Sequence, residues 1–346
     1  MRRGVTIAAA TAAALALAGV ALAANGASVG VSHSPMTTSS SHSTTIHVSI
    51  PQATDPIARI AIYVPSGYSA DLSAAAGTNI GTVTASAFSH DQGLVLPLSG
   101  SVVTDNPANH TSDVCSPGSN AAVWILNLTV AGESIQLPLY VNPTSGAEAA
   151  LGAYKLVICL PPPDVPVGTP GRSAFGAQVL DADFTVSNVF TTPSSPGVAA
   201  WASLFTPYNP GKGTVNALGT FEAQSLVGIP ATVSLKAVSV KHKTYKVTGV
   251  VREGGVAAAG VTLSLFRGGS AGSLTRVGGA TTSAAGTFTF TGKLGKKPLF
   301  FQIHATAAER STTCVSPLPA TVAPAGCSGA TLSAWTATST TARLKP

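Results

Sequence analysis

The sequence predicts an all-β protein with two antiparallel β-sandwich domains that follow a signal peptide. Three observations lead to this prediction. An apolar run follows a basic N-terminus, and from about Thr44 onward short apolar runs alternate with turn residues. These runs are about four to eight residues long, rich in β-branched and aromatic residues, and bounded by Gly, Pro, Asn or Ser, as the strands of a sandwich are. After the N-terminal run, no window shows the helical period of about 3.6 residues.

Composition limits the class of protein further. The chain has 346 residues, of which 45% are hydrophobic and only 9% are charged, against about 25% charged residues in an ordinary soluble domain. A chain this apolar and this weakly charged is not disordered as a whole. Aromatic residues make up 6%, which argues against a stacking platform for bases or sugars. At about 150 residues per domain, the length predicts two domains.

The N-terminus has the pattern of a secretion signal. Arg2 and Arg3 precede an apolar run over residues 4–24, and Ala21-Leu22-Ala23 provides the small residues of a cleavage site. We predict a signal peptide over residues 1–24 and a location outside the cell or at the cell envelope. An uncleaved anchor helix is the alternative, because about 20 apolar residues can span a bilayer. No later run is long enough, so no transmembrane segment is expected after signal removal.

The chain after the signal divides into three parts. Residues 25–43 are rich in Ser and Thr and predict a flexible polar leader. Residues 44–228 contain strand-like runs and form the predicted first sandwich domain. We place the boundary near Gly228–Pro230, with an uncertainty that covers residues 190–230. Residues 229–346 form the predicted second sandwich domain, whose runs alternate cleanly between apolar and polar positions.

The second domain resembles a known family of exported modules. Three pieces carry the resemblance: Val247-Thr248-Gly249-Val250-Val251, Gly260-Val261-Thr262-Leu263, and the turn and strand of residues 281–288. Over about residues 235–310 the chain resembles the carboxypeptidase regulatory-like, prealbumin-like modules of bacterial proteins. The resemblance implies an Ig-like or prealbumin-like sandwich with a non-catalytic accessory role, and it transfers no functional residue. The first domain resembles no family. Richness in Ala, Gly and Pro is typical of a bacterial chain.

Four cysteines in an exported chain indicate two disulfides. The sequence allows three pairings, and we favour the local ones, Cys115 with Cys159 and Cys314 with Cys327, because each lies within one predicted domain. A metal site is the alternative. It is disfavoured because the chain has no CxxC motif and no His at ligand spacing from a Cys. We therefore predict no metal site and no cofactor.

Charge is distributed unevenly between the two domains. Residues 24–228 carry four basic and eleven acidic residues, and residues 229–346 carry thirteen basic and two acidic residues. A basic surface of this kind could attract an anionic cell-envelope polymer. Alternatively, the opposite charges help the domains to dock or keep them soluble. Nucleic acid is excluded as a partner by the compartment and by the lack of aromatic residues among the lysines. The candidate contacts with an anionic polymer are Lys236, Lys241, Lys243, Lys246, Arg252, Lys293, Lys296 and Lys297.

Several short patterns suggest catalysis but lack the context that catalysis needs. Residues 268–272 match G-x-S-x-G, yet no helix is predicted behind them and no His follows the downstream acid. Residues 211–214 resemble half of a phosphate loop without its upstream Gly. Asp181 and Asp183 share one strand face, but their spacing matches no known Ca²⁺ loop. We predict no catalytic residue, and no heat of Ca²⁺ binding in calorimetry.

These observations predict a secreted or cell-surface protein with a structural or binding role and without catalytic activity. One alternative is an accessory or adhesion module that holds an anionic envelope polymer through its basic domain. Another is a hydrolase with an unfamiliar site. Such a site would need a pocket that brings His90 or His110 together with Asp105, Asp181 or Asp183.

Overall fold

The computed structural model describes residues 26–130, 132–241 and 243–345, and the predicted signal peptide lies outside them. The all-β class is confirmed. Among the described residues, no helix has the length and apolar character needed to cross a bilayer. The first strands are β1 (Ser28–Ser34), β2 (Ser43–Ser49), β3 (Ile57–Val64), β4 (Ser69–Ala70), β5 (Asn79–Ser89), β6 (Leu94–Asp105), β7 (Ala122–Val130), β8 (Glu133–Pro143), β9 (Tyr154–Cys159), β10 (Ala177–Ser187), β11 (Phe190–Thr191), β12 (Gly197–Pro207) and β13 (Phe221–Ile229).

The later strands are shorter and follow a short connection after Ile229. They are β14 (Ala231–Val233), β15 (Lys236–Val240), β16 (Thr244–Glu253), β17 (Val256–Ala257), β18 (Thr262–Ser270), β19 (Ser273–Thr281), β20 (Thr287–Lys293), β21 (Leu299–Ala307), β22 (Arg310–Thr312), β23 (Cys327–Leu332), β24 (Trp335–Thr338) and β25 (Ala342–Leu344). The helices are single 3-10 turns at Pro107–His110, Gly146–Ala150, Ala174–Gly176 and Ala217–Gly219.

One large sheet forms the first unit. Its strands lie in the order β1-β2-β10-β5-β6-β7-β8-β9-β3-β12-β13-β23-β22, and β4 and β11 pair separately. Neighbours are antiparallel, except that β13 and β23 run parallel. The sheet curls until β1 reaches β13 and β23. The Val31 N–H donates to Ser225 Oγ of β13 at 2.7 Å, and the Thr331 hydroxyl of β23 donates to the Val29 carbonyl. This curl gives the sheet an inner and an outer face.

Alternation along the strands explains why the sheet curls around an apolar interior. In β2 the residues Thr44, Ile46 and Val48 are buried, whereas Thr45 and His47 between them are partly exposed. Side chains of a strand point to opposite faces in turn, so the buried set lines the inner face. Four large aromatic residues fill the part of the interior that lies away from the connections at residues 51–56 and 160–176. They are Trp124, Phe184, Phe190 and Trp201.

The structure differs from the flexible leader predicted for residues 25–43. Strand β1 lies within this segment and pairs with β2 along its whole length. Val29, Val31 and His33 are buried on the face that closes the curled sheet. The alternation of these three residues is short and lies among serines. The Ser- and Thr-rich composition therefore predicted a flexible segment where the structure has a strand. Burial of the two valines removes apolar surface from water and stabilises the strand.

The second unit is a sandwich of two five-stranded sheets. Strands β14 to β17 and β20 make one sheet, and β18, β19, β21, β24 and β25 make the other. Val247 and Phe288 of the first sheet and Leu263, Phe301 and Ile303 of the second belong to one buried apolar cluster. Clean alternation along these strands agrees with the predicted sandwich, because each sheet buries one face.

The C-terminal segment connects the two units twice. Strands β22 and β23 leave the second unit and extend the first sheet beside β13, and β24 then returns to pair with β21. Residues 310–332 therefore complete the sheet of the predicted first domain. The predicted boundary near Gly228–Pro230 falls at the end of β13, and the division of the chain into domains there stays a prediction.

Candidate functional site

Both disulfides secure loops on the outer face of the large sheet. Cys115 pairs with Cys159 and Cys314 pairs with Cys327, so the two predicted disulfides are present in the local pairing. The first bond ties the loop over residues 106–121 to β9, and the second closes the loop over residues 314–327. Under these loops lies a small outer apolar cluster made of Ala61, Tyr63, Val123, Tyr140, Val157, Leu204 and Ala323.

His110 stands in the first of these loops between two carboxylates. Its Nε2 is 2.9 Å from Asp105 Oδ2 and its Nδ1 is 2.7 Å from Asp113 Oδ2. The Tyr140 hydroxyl also donates to Asp113 Oδ2, at 2.6 Å. Burial lowers the pKa of His110, but the hydrogen bonds to Asp105 and Asp113 outweigh it and raise the pKa above its ordinary value. Hydrogen bonds from Tyr140 and then His110 lower the pKa of Asp113.

This arrangement suits a structural ion cluster better than a catalytic one. A catalytic base needs one ring nitrogen free to take a proton from a nucleophile or water. Both nitrogens of His110 face a carboxylate, and the raised pKa of the ring favours its charged form. The structure thus brings His110 and Asp105 together, as the hydrolase alternative required, but His110 does not line the apolar cavity described below. His90 contacts Gln178 instead of an aspartate.

A second His–Asp cluster lies on the outer face of β2 and β10. His47 Nδ1 is 3.0 Å from Asp183 Oδ1, and its Nε2 is 3.4 Å from Asp181 Oδ2. One ligand atom from each residue lies within 4.8 Å of the others, a spacing that a metal ion could use. All three side chains are partly exposed, and the ring nitrogens are already occupied by the carboxylates. The absence of Ca²⁺ binding stays a prediction.

The two glycine-rich patterns lie in turns between strands. Residues 268–272 span the end of β18 and its turn into β19, so the strand-to-helix elbow of a hydrolase does not form there. The Gly211 N–H donates to Asp164 Oδ2 at 2.6 Å in the connection between β12 and β13. Among the described residues neither turn leads into an α-helix. The single 3-10 turn at Ala217–Gly219 follows residues 211–214 but is too short to be the helix that a phosphate loop precedes.

The interior of the large sheet holds an apolar cavity of about 370 Å³. This volume falls within the range of about 300–1,000 Å³ typical of small-molecule sites. Eight strands supply its walls, β2, β3 and β5 to β10, and Phe184 is the one aromatic residue among the lining side chains that the structure describes. The aliphatic walls are formed chiefly by Ile46, Val48, Ile57, Ile60, Ile62, Val83, Leu98, Leu126, Leu128, Leu137, Leu139, Leu156 and Ile158.

Polar lining residues gather at one end of this cavity. This loop end of the sheet is where segments 51–56 and 160–176 cross between strands. Arg172 donates from Nε to the Val165 carbonyl at 2.7 Å and forms a two-bond pair with Asp91. Gln178 donates to the Thr54 carbonyl at 3.1 Å. Ser173 lines the same end, 7% exposed, and its hydroxyl oxygen has no hydrogen-bond partner.

The lining of the cavity bears on its occupancy. Only four of the described lining residues, Gln136, Arg172, Ser173 and Gln178, carry polar side chains. Ordered water is disfavoured in this cavity, because each buried water needs about three polar partners and the walls are aliphatic. The cavity is therefore suited to an apolar guest.

The predicted basic contacts lie mainly on one sheet of the second unit. Tyr245 and Val247 are buried, so Lys246 between them projects from the outer face. Lys293 pairs across the sheet with Thr244, and Lys236 pairs with Thr248, which places the three lysines in a diagonal row on that face. Lys241, Lys243, Lys296 and Lys297 lie in the adjoining loops, where the Leu294 N–H donates to the Lys243 carbonyl at 2.7 Å.

Arg252 does not join this row. It lies near the other end of β16, and its guanidinium donates to the Gly255 carbonyl at 3.0 Å. The acidic residue of this sheet, Glu253, is 8% exposed and turned toward Gly228 of the first unit. Burial raises the pKa of Glu253. The outer lysine face thus carries no exposed acidic side chain on β15, β16 or β20.

Sequence reasoning missed the apolar cavity. Its lining residues come from eight strands spread over more than 130 positions, and each strand alone has the pattern of an ordinary core strand. Ser173 lies in a Pro- and Gly-rich connection and carried no distinguishing signal. The one local indication was the large share of small and aliphatic residues on the inner positions of β5 and β10, which includes Ala85, Ala87 and Ala182.

No family model and no curated protein matches the chain. The carboxypeptidase regulatory-like resemblance of residues 235–310 is therefore not confirmed at the level of a family. Among solved structures, the major pilin SpaD of Corynebacterium diphtheriae aligns with 80% of this chain at 14% identity and a TM-score of 0.25. The aligned region covers 55% of that pilin, so the chain spans about half of its length.

Two further solved structures with several tandem domains give similar values. The FN1–FN3 domains of chicken CNTN1 align over 92% of this chain and 96% of their own, with 8% identity and a TM-score of 0.22. Three domains of titin cover 92% of this chain and 97% of their own, with 11% identity and a TM-score of 0.21. At these TM-scores, the likeness carries no argument about function.

Proposed function

We propose that this chain is an exported structural or binding protein without catalytic activity that acts outside the cytoplasm or at the cell envelope. The observation that supports the proposal is the pairing of all four cysteines into two disulfides. Structural disulfides persist in oxidising compartments and are rare in the cytosol. The apolar run over residues 4–24 and its cleavage pattern are the sequence features that agree with export.

The test is to locate the protein in its own cells and to map its cysteines. Antibody detection in medium, envelope and cytosolic fractions is combined with N-terminal sequencing and non-reducing mass mapping. We expect the protein outside the cytosol, starting near Ala24 or Asn25, with both disulfides formed. A cytosolic protein with free thiols and an intact N-terminus would overturn the proposal.

The non-catalytic part of the proposal depends on the two histidine clusters. In each, both ring nitrogens face carboxylates, and no serine or cysteine nucleophile contacts either ring in the hydrogen-bond pattern of the described residues. A serine-directed fluorophosphonate probe should leave the chain unlabelled, whereas a known serine hydrolase under the same conditions is labelled. Stoichiometric labelling that disappears in His110→Gln would favour the hydrolase alternative instead.

A second candidate function is attachment to an anionic envelope polymer through the lysine face. The supporting observation is the diagonal row of Lys236, Lys246 and Lys293 on a sheet face without an exposed acid. Salt screens such attraction over about 8–10 Å at physiological ionic strength. Binding to purified cell walls is therefore expected at low salt and should weaken steeply as salt is raised.

A charge-reversal experiment distinguishes binding through the lysine face from nonspecific adsorption to cell walls. The double substitution Lys246→Glu with Lys293→Glu is compared with Lys212→Glu, which reverses an exposed lysine of the first unit. Sedimentation with cell walls should fall strongly for the double variant and little for the control. Equal sedimentation of both variants, or no binding at any salt concentration, removes this candidate.

A further inference from the structure

The apolar cavity has the shape of a site for a chain-like guest. Its aliphatic walls run from the loop end into the curled sheet, and Phe184 stacks on Trp124 with ring centroids 6.0 Å apart at the packed inner part. With one aromatic side chain among the described lining residues, the walls offer little stacking surface to a planar guest. A flexible hydrocarbon chain gains most from such walls, because it can follow them and bury its full length.

Ser173 and Arg172 hold the unused hydrogen-bond donors of the described cavity lining. Gln136 donates its amide to Asn127, and Asp164, whose buried Oδ1 has no partner, does not line the cavity. The Ser173 hydroxyl is buried without a partner, a state that costs free energy until a guest supplies one. Arg172 has five N–H donors, of which its contacts with Val165 and Asp91 use three. Both ends of the Gln178 amide are already engaged. A guest with an acceptor head group fits this mouth better than a cationic one.

We propose that the cavity binds a single long-chain fatty acid, with its hydrocarbon chain inside the curled sheet and its carboxylate beside Ser173 and Arg172. The site is separate from the lysine face, and it does not depend on the proposed structural role. Ser173 donates one hydrogen bond to the carboxylate, and the free N–H groups of Arg172 supply the others. Gly176 permits this geometry, since the Arg172 guanidinium lies where a side chain at position 176 would stand.

The binding test uses the full chain after removal of bound lipid on a hydrophobic resin. Hexadecanoic acid is titrated against the apolar dye ANS, and hexadecyltrimethylammonium serves as a probe of equal chain length with a cationic head. We expect saturable displacement by the acid, one molecule per chain, with a dissociation constant on the order of micromolar. The cationic probe should bind at least about tenfold more weakly, a difference of about 1.4 kcal/mol.

Two substitutions locate the site, each with a matched control. Ala87→Phe places a ring in the cavity, and Ala149→Phe places the same ring on the surface. The first should weaken acid binding by at least about tenfold, because the ring takes up space that the hydrocarbon chain would fill. If Ala87→Phe fails to fold, Ala85→Leu at a half-buried lining position provides the same test with a smaller side chain.

The head-group contact is tested by Ser173→Ala against Ser203→Ala. Ser203 is also fully buried and its hydroxyl also lacks a partner, but it does not line the cavity. Only Ser173→Ala should weaken acid binding, by about tenfold, and reduce the preference for the acid over the cationic probe. Equal affinity for both probes, full binding to the cavity-filling variants, or no saturable displacement each overturns the proposal. Association with phosphatidylcholine vesicles without binding of the free acid also overturns the proposal.

Discussion

His33 is a buried histidine of β1 whose ring lies between two hydroxyl groups. Its Nδ1 is 3.0 Å from Thr44 Oγ1 and its Nε2 is 3.0 Å from the Tyr68 hydroxyl. Only 7% of the residue is exposed, and burial lowers its pKa to about 4. No carboxylate contacts the ring, so the folded protein favours the neutral imidazole.

His33 should therefore make the fold sensitive to acid. The unfolded chain binds a proton near the ordinary histidine pKa of about 6.5, whereas folded His33 does so only near about 4. Stability consequently falls as pH drops through this window, by about 3 kcal/mol from this group. In urea unfolding at several pH values, His33→Gln should remove most of that dependence. A variant with the same pH slope as the wild type would contradict this assignment.

His110 should show the opposite dependence. Its pKa is raised in the folded chain, so its contribution is present below the unfolded pKa of about 6.5 and is lost as pH rises through the folded value. His110→Gln should lower the free energy of unfolding at about pH 6 by about 1 kcal/mol, allowing for solvent screening of the partly exposed carboxylates.

The measurement for His110 is urea unfolding of wild type and variant at about pH 6 and about pH 9, with the exposed His42→Gln as control. The difference between wild type and His110→Gln should shrink at the higher pH. A difference that grows with pH would mean that the ring acts as a neutral hydrogen-bond partner.

At the scale of elements, the sequence predicts strands well where a run rich in apolar and β-branched residues extends over six or more positions. The sequence has such runs at residues 57–64, 122–128, 135–141 and 154–160, and the structure has β3, β7, β8 and β9 there. Strand β1 was missed because its inward residues are two valines and a histidine among serines. Strand order, the curl and the cavity could not be predicted, because they depend on pairings between residues far apart in the chain.

Strand β1 should be essential to the fold and not a dispensable leader. Val31 is 1% exposed and its N–H donates to Ser225, so Val31→Asp buries an unpaired charge where the sheet closes. We expect a loss of at least about 4 kcal/mol or failure to fold. Ser32→Asp, on the outer face of the same strand, should cost less than about 1 kcal/mol. Similar urea midpoints for both variants would show that β1 is not needed.

At the scale of the whole molecule, the two units share strands and buried surface. Residues 310–332 contribute β22 and β23 to the large sheet, and Glu222 of β13, fully buried, accepts the Leu318 N–H at 2.7 Å. The first half of the sequence lacks two strands of its own unit, β22 and β23, which the second half supplies.

The full chain should therefore unfold as one cooperative unit. We expect a single calorimetric transition for residues 25–346, and a fragment of residues 229–346 that aggregates or lacks near-UV dichroism, because β22 and β23 then have no sheet to join. The full chain measured under the same conditions is the control. A fragment that melts cooperatively on its own would show that the predicted domain boundary is also a boundary of stability.

The return of the chain from β23 to β24 has a mechanical consequence. A tensile load applied between the two ends of the described chain cannot pull the sandwiches apart at residues 229–231 alone, because the chain crosses between them again before β22 and after β23. The units would separate only after β23 is sheared lengthwise along its parallel neighbour β13, where several hydrogen bonds resist together. We therefore expect force on this protein to be borne by a strand in the middle of the molecule and not by a linker.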